Sequence, residues 1–320
     1  MPFKEGDLVV FADHEGRLHP QRLSSGGCLY TYGGHVKHDE VLGREPGCTV
    51  KTSGGKELFV FYPTVLDYTM NLRRRSSIIY PKDTGIILMW ADIFPGARVL
   101  CGGVGSGALL VAVLRQVGPG GQVVAYDVRQ DMLDCAAENI RAYFGPTPHL
   151  VLKLGSIYDP IEEAGFDRVL LDVPEPWRAI GTVHSALVPG GIMCAYVPSI
   201  IQVEDFTRAL RRSRAFAMIE TLEVLMRNWH LEGRSVRPEQ RMVGHTGFLT
   251  FARKLDRPLA RETFSEDETR TEQESPECGA ASSERREGCQ APPAPPECEA
   301  EAGRGDLLPA GEDSTSPTVG

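Results

Sequence analysis

No two of the eight cysteines in this 320-residue chain stand in a CxxC pair, which removes the usual spacing of a zinc site. No apolar run is long enough to cross a membrane, and no secretory leader is visible, so a reduced, cytoplasmic setting is expected. A surplus of either charge is also missing from most of the chain: residues 1–255 hold 27 acidic and 28 basic side chains. Residues 256–320 hold 16 acidic and 6 basic ones, so the net charge of −9 belongs to the tail. The near-neutral part still clusters its basic residues, at Arg73, Arg74 and Arg75 and in RALRRSR at 208–214. Such runs suit phosphate contacts and equally suit a solvated helix face. Aromatics almost vanish after Asp256, where Glu, Pro, Ser, Gly and Ala dominate. A segment so poor in apolar area cannot offset its ordering entropy, so 256–320 is expected to be disordered, with Cys278, Cys289 and Cys298 incidental.

The most informative stretch that is present is ARVLCGGVGSGALLVAVLRQVGPGGQVVAYDVR at 97–129. It reads as a strand over 98–101, a glycine-rich turn, a helix over 106–116, a PGG break and a strand over 122–126 ending on Asp127. That order is half of a nucleotide-binding α/β unit, in which glycines let backbone approach a ligand and a strand-end carboxylate accepts a ribose diol. No second phosphate-binding signal appears, which argues against a dinucleotide and for a cofactor whose polar end meets the glycine turn.

Around this unit the chain divides into four parts. Residues 1–63 are short, alternating and turn-rich, a small all-β module of about five strands suited to docking or positioning. Residues 64–82 form a connector ending in SIIYPKD. Over 83–255 helices (84–93, 106–116, 130–143, 177–187, 203–214) alternate with strands (98–101, 122–126, 150–153, 168–172, 191–197), followed by β segments at 217–225 and 245–253. This pattern implies an α/β fold with a mostly parallel, doubly wound sheet and an antiparallel pair at one edge. Residues 256–320 form the acidic tail.

Four features are expected to converge on one cleft. The glycine turn at 102–107 and Asp127 are the first two. The third is LLDVPEPW at 170–177, where an apolar strand delivers Asp172 to a stiff, doubly proline-bearing loop ending on an aromatic, a platform for a substrate base. The fourth is Tyr80 in SIIYPKD, which suits stacking on a base and equally a place in the core. GHTGFL at 244–249 adds His245, although a lone histidine is more often structural.

In this order, YPKD, the GxGSGAL-type turn, YD, LDVPEPW and WHLEGRSVRPEQRMVGHTGFL resemble the tRNA (adenine-N1)-methyltransferase family of the TrmI type, in its bacterial-like branch. The resemblance runs from about Phe3 to Lys254. It implies a Rossmann-like class I methyltransferase fold, S-adenosylmethionine as methyl donor, the T-loop adenosine 58 of tRNA as acceptor, and a homotetramer without metal. It places Ser77, Ile79, Gly103, Gly105, Ser106, Gly107, Ala108, Leu109, Asp127, Met132, Ser156, Ile157 and Asp172 around the cofactor. Asp172 and Tyr80 fall at the reacting base, and Arg73, Arg74, Arg75 and His245 on the RNA. The chain departs from the family at the acid that opens the turn, here Cys101, at its threonine, here Val104, at the glutamine ahead of IYPKD, here Ser77, and at the adenine-contacting acid, here Ser156. Each lost hydrogen bond removes about 0.5–1.5 kcal/mol, or about 1.5–3 kcal/mol where charged. Two other readings stay open on the sequence: a weakly active or inactive RNA-binding relative of the same fold, and a methyltransferase for a non-RNA substrate.

Overall fold

The computed structural model describes residues 1–260. The N-terminal strands are β1 (Leu8–Ala12), β2 (Leu18–Arg22), β3 (Cys28–Thr31), β4 (Gly34–Lys37), β5 (Cys48–Lys51) and β6 (Glu57–Phe61). Four of them form an antiparallel sheet in the order β2-β1-β6-β5, and β3 pairs with β4 as a hairpin. Alternating apolar residues, among them Val9, Phe11, Leu29, Val36, Leu58 and Val60, bury one face as a separate small core with Phe3 and Leu23. There are six strands where about five are expected, because YGG closes β3 on β4 and SGG closes β5 on β6 as separate short hairpins. Asp13 holds the module's turns: it accepts the Glu15 and Arg17 amides at 3.0 and 2.9 Å, and its second oxygen takes Arg17 Nε and Lys56 Nζ, each at 3.0 Å.

The connector begins with α1 (Val65–Asn71), capped by Thr64, whose hydroxyl accepts the Asp67 amide while the Asp67 carboxylate accepts the Thr64 amide. Helix α2 (Pro81–Trp90) follows. It starts three residues earlier than the spacing predicts, because Pro81 occupies the first helical position, where its fixed φ is favourable and its missing N–H is harmless. Tyr80 is consequently the N-terminal cap residue rather than part of a free loop.

The remaining elements alternate: β7 (Arg98–Gly102), α3 (Ala108–Val117), β8 (Gln122–Asp127), α4 (Gln130–Phe144), β9 (Leu150–Leu154), β10 (Phe166–Leu171), α5 (Ile180–Ala186), β11 (Leu187–Val197), α6 (Ile200–Ser213) and β12 (Phe216–Glu223). A hairpin of β13 (Trp229–Glu232) and β14 (Ser235–Pro238) precedes the last strand, β15 (Phe248–Lys254). Seven strands make one sheet in the order β12-β15-β11-β10-β7-β8-β9, parallel from β11 to β9 and antiparallel where β15 enters between β11 and β12. One apolar cluster, including Ile87, Leu110, Val111 and Leu114, packs on one face, and another, including Phe166, Val183, Phe206 and Leu210, on the other. The doubly wound α/β expectation and its antiparallel edge are borne out.

Several boundaries differ for local reasons. Helix α3 begins at Ala108 because Gly107 adopts φ 85°, a left-handed cap that ends the turn. The helix expected over 177–187 is a 3-10 turn (Pro176–Ala179) followed by α5, since Pro176 sits at the turn's first position. Helix α6 begins at Ile200 because Ser199 caps it. The segment 224–247, expected to be partly strand, holds the β13–β14 hairpin instead, so His245 and Thr246 precede the final strand rather than open it. The expected disorder of the acidic tail lies outside the described residues from 261 on. Before that point the chain is still tied down, with the Leu255 amide donating to the Ala215 carbonyl at 2.9 Å and the Leu259 amide to that of Arg214 at 3.0 Å.

Candidate active site

Strand order reverses between β7 and β10: β8 and β9 follow on one side of β7, and β10 lies on the other. In such sheets the ligand crevice opens beyond the carboxyl ends of these strands. The Asp172 amide donates to the Gly102 carbonyl at 2.7 Å across this point, joining the glycine turn to the LLDVPEPW loop. Gly103, at φ 86°, lies so close that a Cβ placed on it would stand 2.1 Å from the Asp172 carbonyl oxygen. Only glycine fits there. Gly107 serves packing instead, since a Cβ on it would meet Ala136 of α4 at 3.0 Å.

A cavity of about 210 Å³ opens at this crevice, lined by Gly103, Asp127, Ser156, Ile157 and Asp172 together with Val128, Tyr158 and Pro174. Asp127, at the end of β8, accepts the amides of Val104 and Gly105 through one oxygen at 2.9 and 3.2 Å. Its other oxygen accepts the Arg129 amide at 2.9 Å and has acceptor capacity left for a further donor. The carboxylate thus shapes the glycine turn as well as facing the crevice. Ser156 accepts the Tyr158 amide at 3.1 Å.

Asp172 sits just past β10 rather than within it, with no side-chain partner among the described residues. Crowding by surrounding protein, and secondarily the Asp127 charge, push its carboxyl up to about 6. The residue is nevertheless exposed to the open cleft. Water in that cleft tempers the shift, and a ligand that displaced the water would strengthen it. The loop beyond is fixed: Tyr158 Oη accepts the Glu175 amide at 3.1 Å, Gln202 Nε2 donates to the Pro174 carbonyl at 2.8 Å, and Arg178 lies 4.5 Å over the Tyr158 ring. Trp177, expected as a platform, packs partly buried against the cluster of Phe166, Val183, Phe206 and Leu210.

The other expected cofactor residues do not line this cavity. Ile79, Ala108 and Leu109 belong to the apolar core, and Met132 is buried. Ser106 is buried with its hydroxyl accepting the Arg75 and Ser76 amides at 2.9 and 3.2 Å, so it holds the connector against α3. Ser77 is exposed on that connector, and Gly105 faces Ser76. Cys101 and Val104, the two departures in the turn, lie within the apolar core and leave the cavity open; burial raises the Cys101 thiol to about 12.

Tyr80 lines a second cavity, of about 280 Å³, with Met70, Lys82, Asn228, Arg241 and Thr246. Tyr196, which the sequence reading missed, packs behind the second cavity against the segment that carries Thr246. Its hydroxyl donates to the Thr246 carbonyl at 2.7 Å, and burial, partly offset by the Thr246 side chain, holds its phenol up to about 12, with Asp83, Asp172 and Tyr80 adding to the shift. A Cβ on Gly247 would stand 2.5 Å from the Tyr196 ring, which accounts for the glycine in GHTGFL.

The residues expected on RNA are all engaged. Arg73 pairs with Glu138 at 3.2 Å, Arg75 with Asp131 at 3.4 Å, and Arg74 donates to the Met70 carbonyl at 2.6 Å. These exposed pairs contribute about 0–1 kcal/mol each and yield readily to phosphate. His245 differs: Nδ1 meets Glu223 at 2.6 Å and Nε2 meets the Pro198 carbonyl at 2.7 Å. Both partners only accept, so the ring donates twice as an imidazolium and offers no nitrogen to RNA. The ring thereby clamps Glu223 of β12 to Pro198, just past β11. The Glu223 and Pro198 bonds raise its pKa. Its contribution to stability is therefore complete below the unfolded value of about 6.5 and lost as pH rises through the higher folded value. Urea midpoints across this range should fall more steeply for the native chain than for His245→Gln.

Among the described residues, no helix is long and apolar enough to cross a membrane, and no group of three His, Cys, Asp or Glu side chains could hold a metal ion. A doubly wound sheet with a glycine cradle and two strand-end carboxylates at its switch point defines a Rossmann-like class I methyltransferase. Residues 2–50 match the TrmI-like N-terminal family, and residues 56–237 match the family described as tRNA methyltransferase complex GCD14 subunit. The chain belongs to this tRNA methyltransferase family. It is 35% identical over 247 residues to the tRNA (adenine(58)-N(1))-methyltransferase TrmI of Thermus thermophilus, covering 77% of this chain and 96% of that protein. Among solved structures, it superposes with a TM-score of 0.75 on a SAM-dependent O-methyltransferase from Thermotoga maritima, at 32% identity over 81% of this chain and 96% of the other. The tRNA (m1A58) methyltransferase TrmI from Aquifex aeolicus gives 0.70, at 28% identity over 80% of this chain and all (100%) of the other.

Proposed function

We propose that this chain transfers a methyl group from S-adenosylmethionine to N1 of an adenosine in tRNA, the T-loop adenosine 58 by family. The observation that carries the reading is Asp172, an unpaired carboxylate held by backbone at the switch point and open to the cavity that Asp127 and Gly103 also line. The donor fits these residues: Gly103 lets backbone approach it, and Asp127 keeps an acceptor lone pair for a ribose hydroxyl. When bound, it supplies an electrophilic methyl on a sulfonium.

The acceptor nitrogen has its own lone pair, so alignment matters more than proton removal. Asp172 accepts a hydrogen bond from the exocyclic amine and offsets the positive charge that develops on the ring. Tyr80 walls the acceptor side, in the neighbouring cavity. A T-loop base must leave its stack to reach it. Arg73, Arg74 and Arg75 exchange their exposed partners for phosphate, and the N-terminal module braces the opened RNA. The reading includes a cytoplasmic homo-oligomer, a tetramer by family resemblance. Exposed Trp229, Leu231 and Val236 on the β13–β14 hairpin suit burial against a second copy.

Mass spectrometry of nucleosides from tRNA incubated with the protein and S-adenosylmethionine should show 1-methyladenosine, and a reverse-transcription stop on the same tRNA should fall at position 58. The O-methyltransferase description of the Thermotoga structure favours one alternative, transfer to oxygen, and the same spectrum would show it on tRNA as a ribose methyl ether. Absence of 1-methyladenosine overturns the proposal.

A further inference from the structure

Four chain segments meet around two buried charges beside the acceptor cavity. Lys82 and Asp83 occupy the first turn of α2; the Asp83 side chain has 0% of its surface exposed, and that of Lys82 has 9%. Lys82 Nζ donates to Asp83 Oδ1 at 2.8 Å, to Thr246 Oγ1 at 2.7 Å and to the Val224 carbonyl at 2.7 Å. An ammonium has three hydrogens, so none remains for a ligand. Thr246 Oγ1 completes the ring by donating to Asp83 Oδ2 at 2.8 Å, and the Thr246 carbonyl accepts the Tyr196 hydroxyl. Lys82 lines the cavity, but only its stem is available there.

We propose that Lys82, Asp83 and Thr246 form a positioning device that sets Tyr80 against the acceptor base, and that none of them contacts RNA through its polar group. Tyr80 directly precedes Pro81 and caps α2 without a side-chain hydrogen bond of its own. Its position therefore follows from where the first turn of α2 is held, and that turn is tied to the segment entering β15 by the Lys82–Asp83–Thr246 ring. Fully satisfied buried networks of this kind specify one arrangement, whereas removing one member leaves charges unpaired. The inference rests on the acceptor role proposed for Tyr80.

The test uses the full chain carrying meta-fluorotyrosine, with the Tyr80 fluorine resonance identified by its loss in Tyr80→Phe. In Thr246→Val that resonance should shift or broaden, kcat on tRNA should fall on the order of 10²-fold, as for a displacement of about 1 Å, and KM should change little. Thr246→Ser, which keeps the hydroxyl, should restore both the resonance and the rate. If Thr246→Val does not fold, Lys82→Met combined with Asp83→Asn removes both charges together and is read the same way. An unmoved Tyr80 resonance, a raised KM at unchanged kcat, or a loss that serine does not restore overturns the proposal. Should the native chain transfer no methyl to tRNA, the functional reading fails, and the fluorine spectrum alone still decides the network.

Discussion

Asp172→Ala is expected to lower kcat for methyl transfer about 10²- to 10³-fold, the usual loss when a preorganised group facing developing charge is removed. Affinity for tRNA should stay near the native value, because the arginines proposed to meet phosphate, Arg73, Arg74 and Arg75, lie outside the cavity Asp172 lines. Asp172→Asn retains an acceptor oxygen but no charge, so its rate should fall between the two. The native pH–rate profile should show an acid limb near 6, where the carboxyl takes up its proton, and this limb should vanish in Asp172→Asn. Stability gives an independent check. A carboxylate whose folded pKa lies above its unfolded value disfavours the folded state at neutral pH. The Asp172→Asn chain should therefore unfold at a urea concentration no lower than the native one. A variant that lost rate and stability together would mark Asp172 as a structural residue.

Gly103→Ala carries the second large effect, this time on the fold and the cavity at once. The added methyl meets the Asp172 carbonyl at 2.1 Å, where backbone rather than a movable side chain must yield. A left-handed φ on alanine costs roughly 1–2 kcal/mol, and forced overpacking about 1–3 kcal/mol more. A thermal midpoint several degrees lower, with calorimetric binding of S-adenosylmethionine abolished, is expected. Gly107→Ala should lower stability through Ala136 while retaining cofactor binding, since that contact faces α4 rather than the crevice.

The crevice itself was legible in the sequence because its signals are local. A strand, a glycine turn and a strand-end acid lie within 97–129, and Asp172 ends an apolar run marked by two prolines. The spacing brought the glycine turn, Asp127 and Asp172 to one crevice, while Ser156 and Ile157, which line the same cavity, came only from the family resemblance. What it missed depends on contacts between distant segments. Tyr196 reads as one more apolar strand position, and Lys82 as one more surface lysine, until Thr246 arrives from 164 positions away in sequence. His245 looked free for the same reason: Glu223 and Pro198 become its partners only when β15 threads between β11 and β12. Helix starts slipped where a single residue (Pro81, Gly107, Ser199) decided the cap.

The insertion of β15 has a consequence for how the molecule is made. β12 joins the sheet only through β15, so a growing chain halted before Phe248 lacks one strand and leaves a second, β12, unpaired. Lys82 and Asp83 pair with each other, but the Thr246 hydroxyl that closes their ring comes with the same late arrival. Pairing at such long range is slow to form. Newly synthesised protein is thus at its most vulnerable to association with its neighbours just before its final strand slides home.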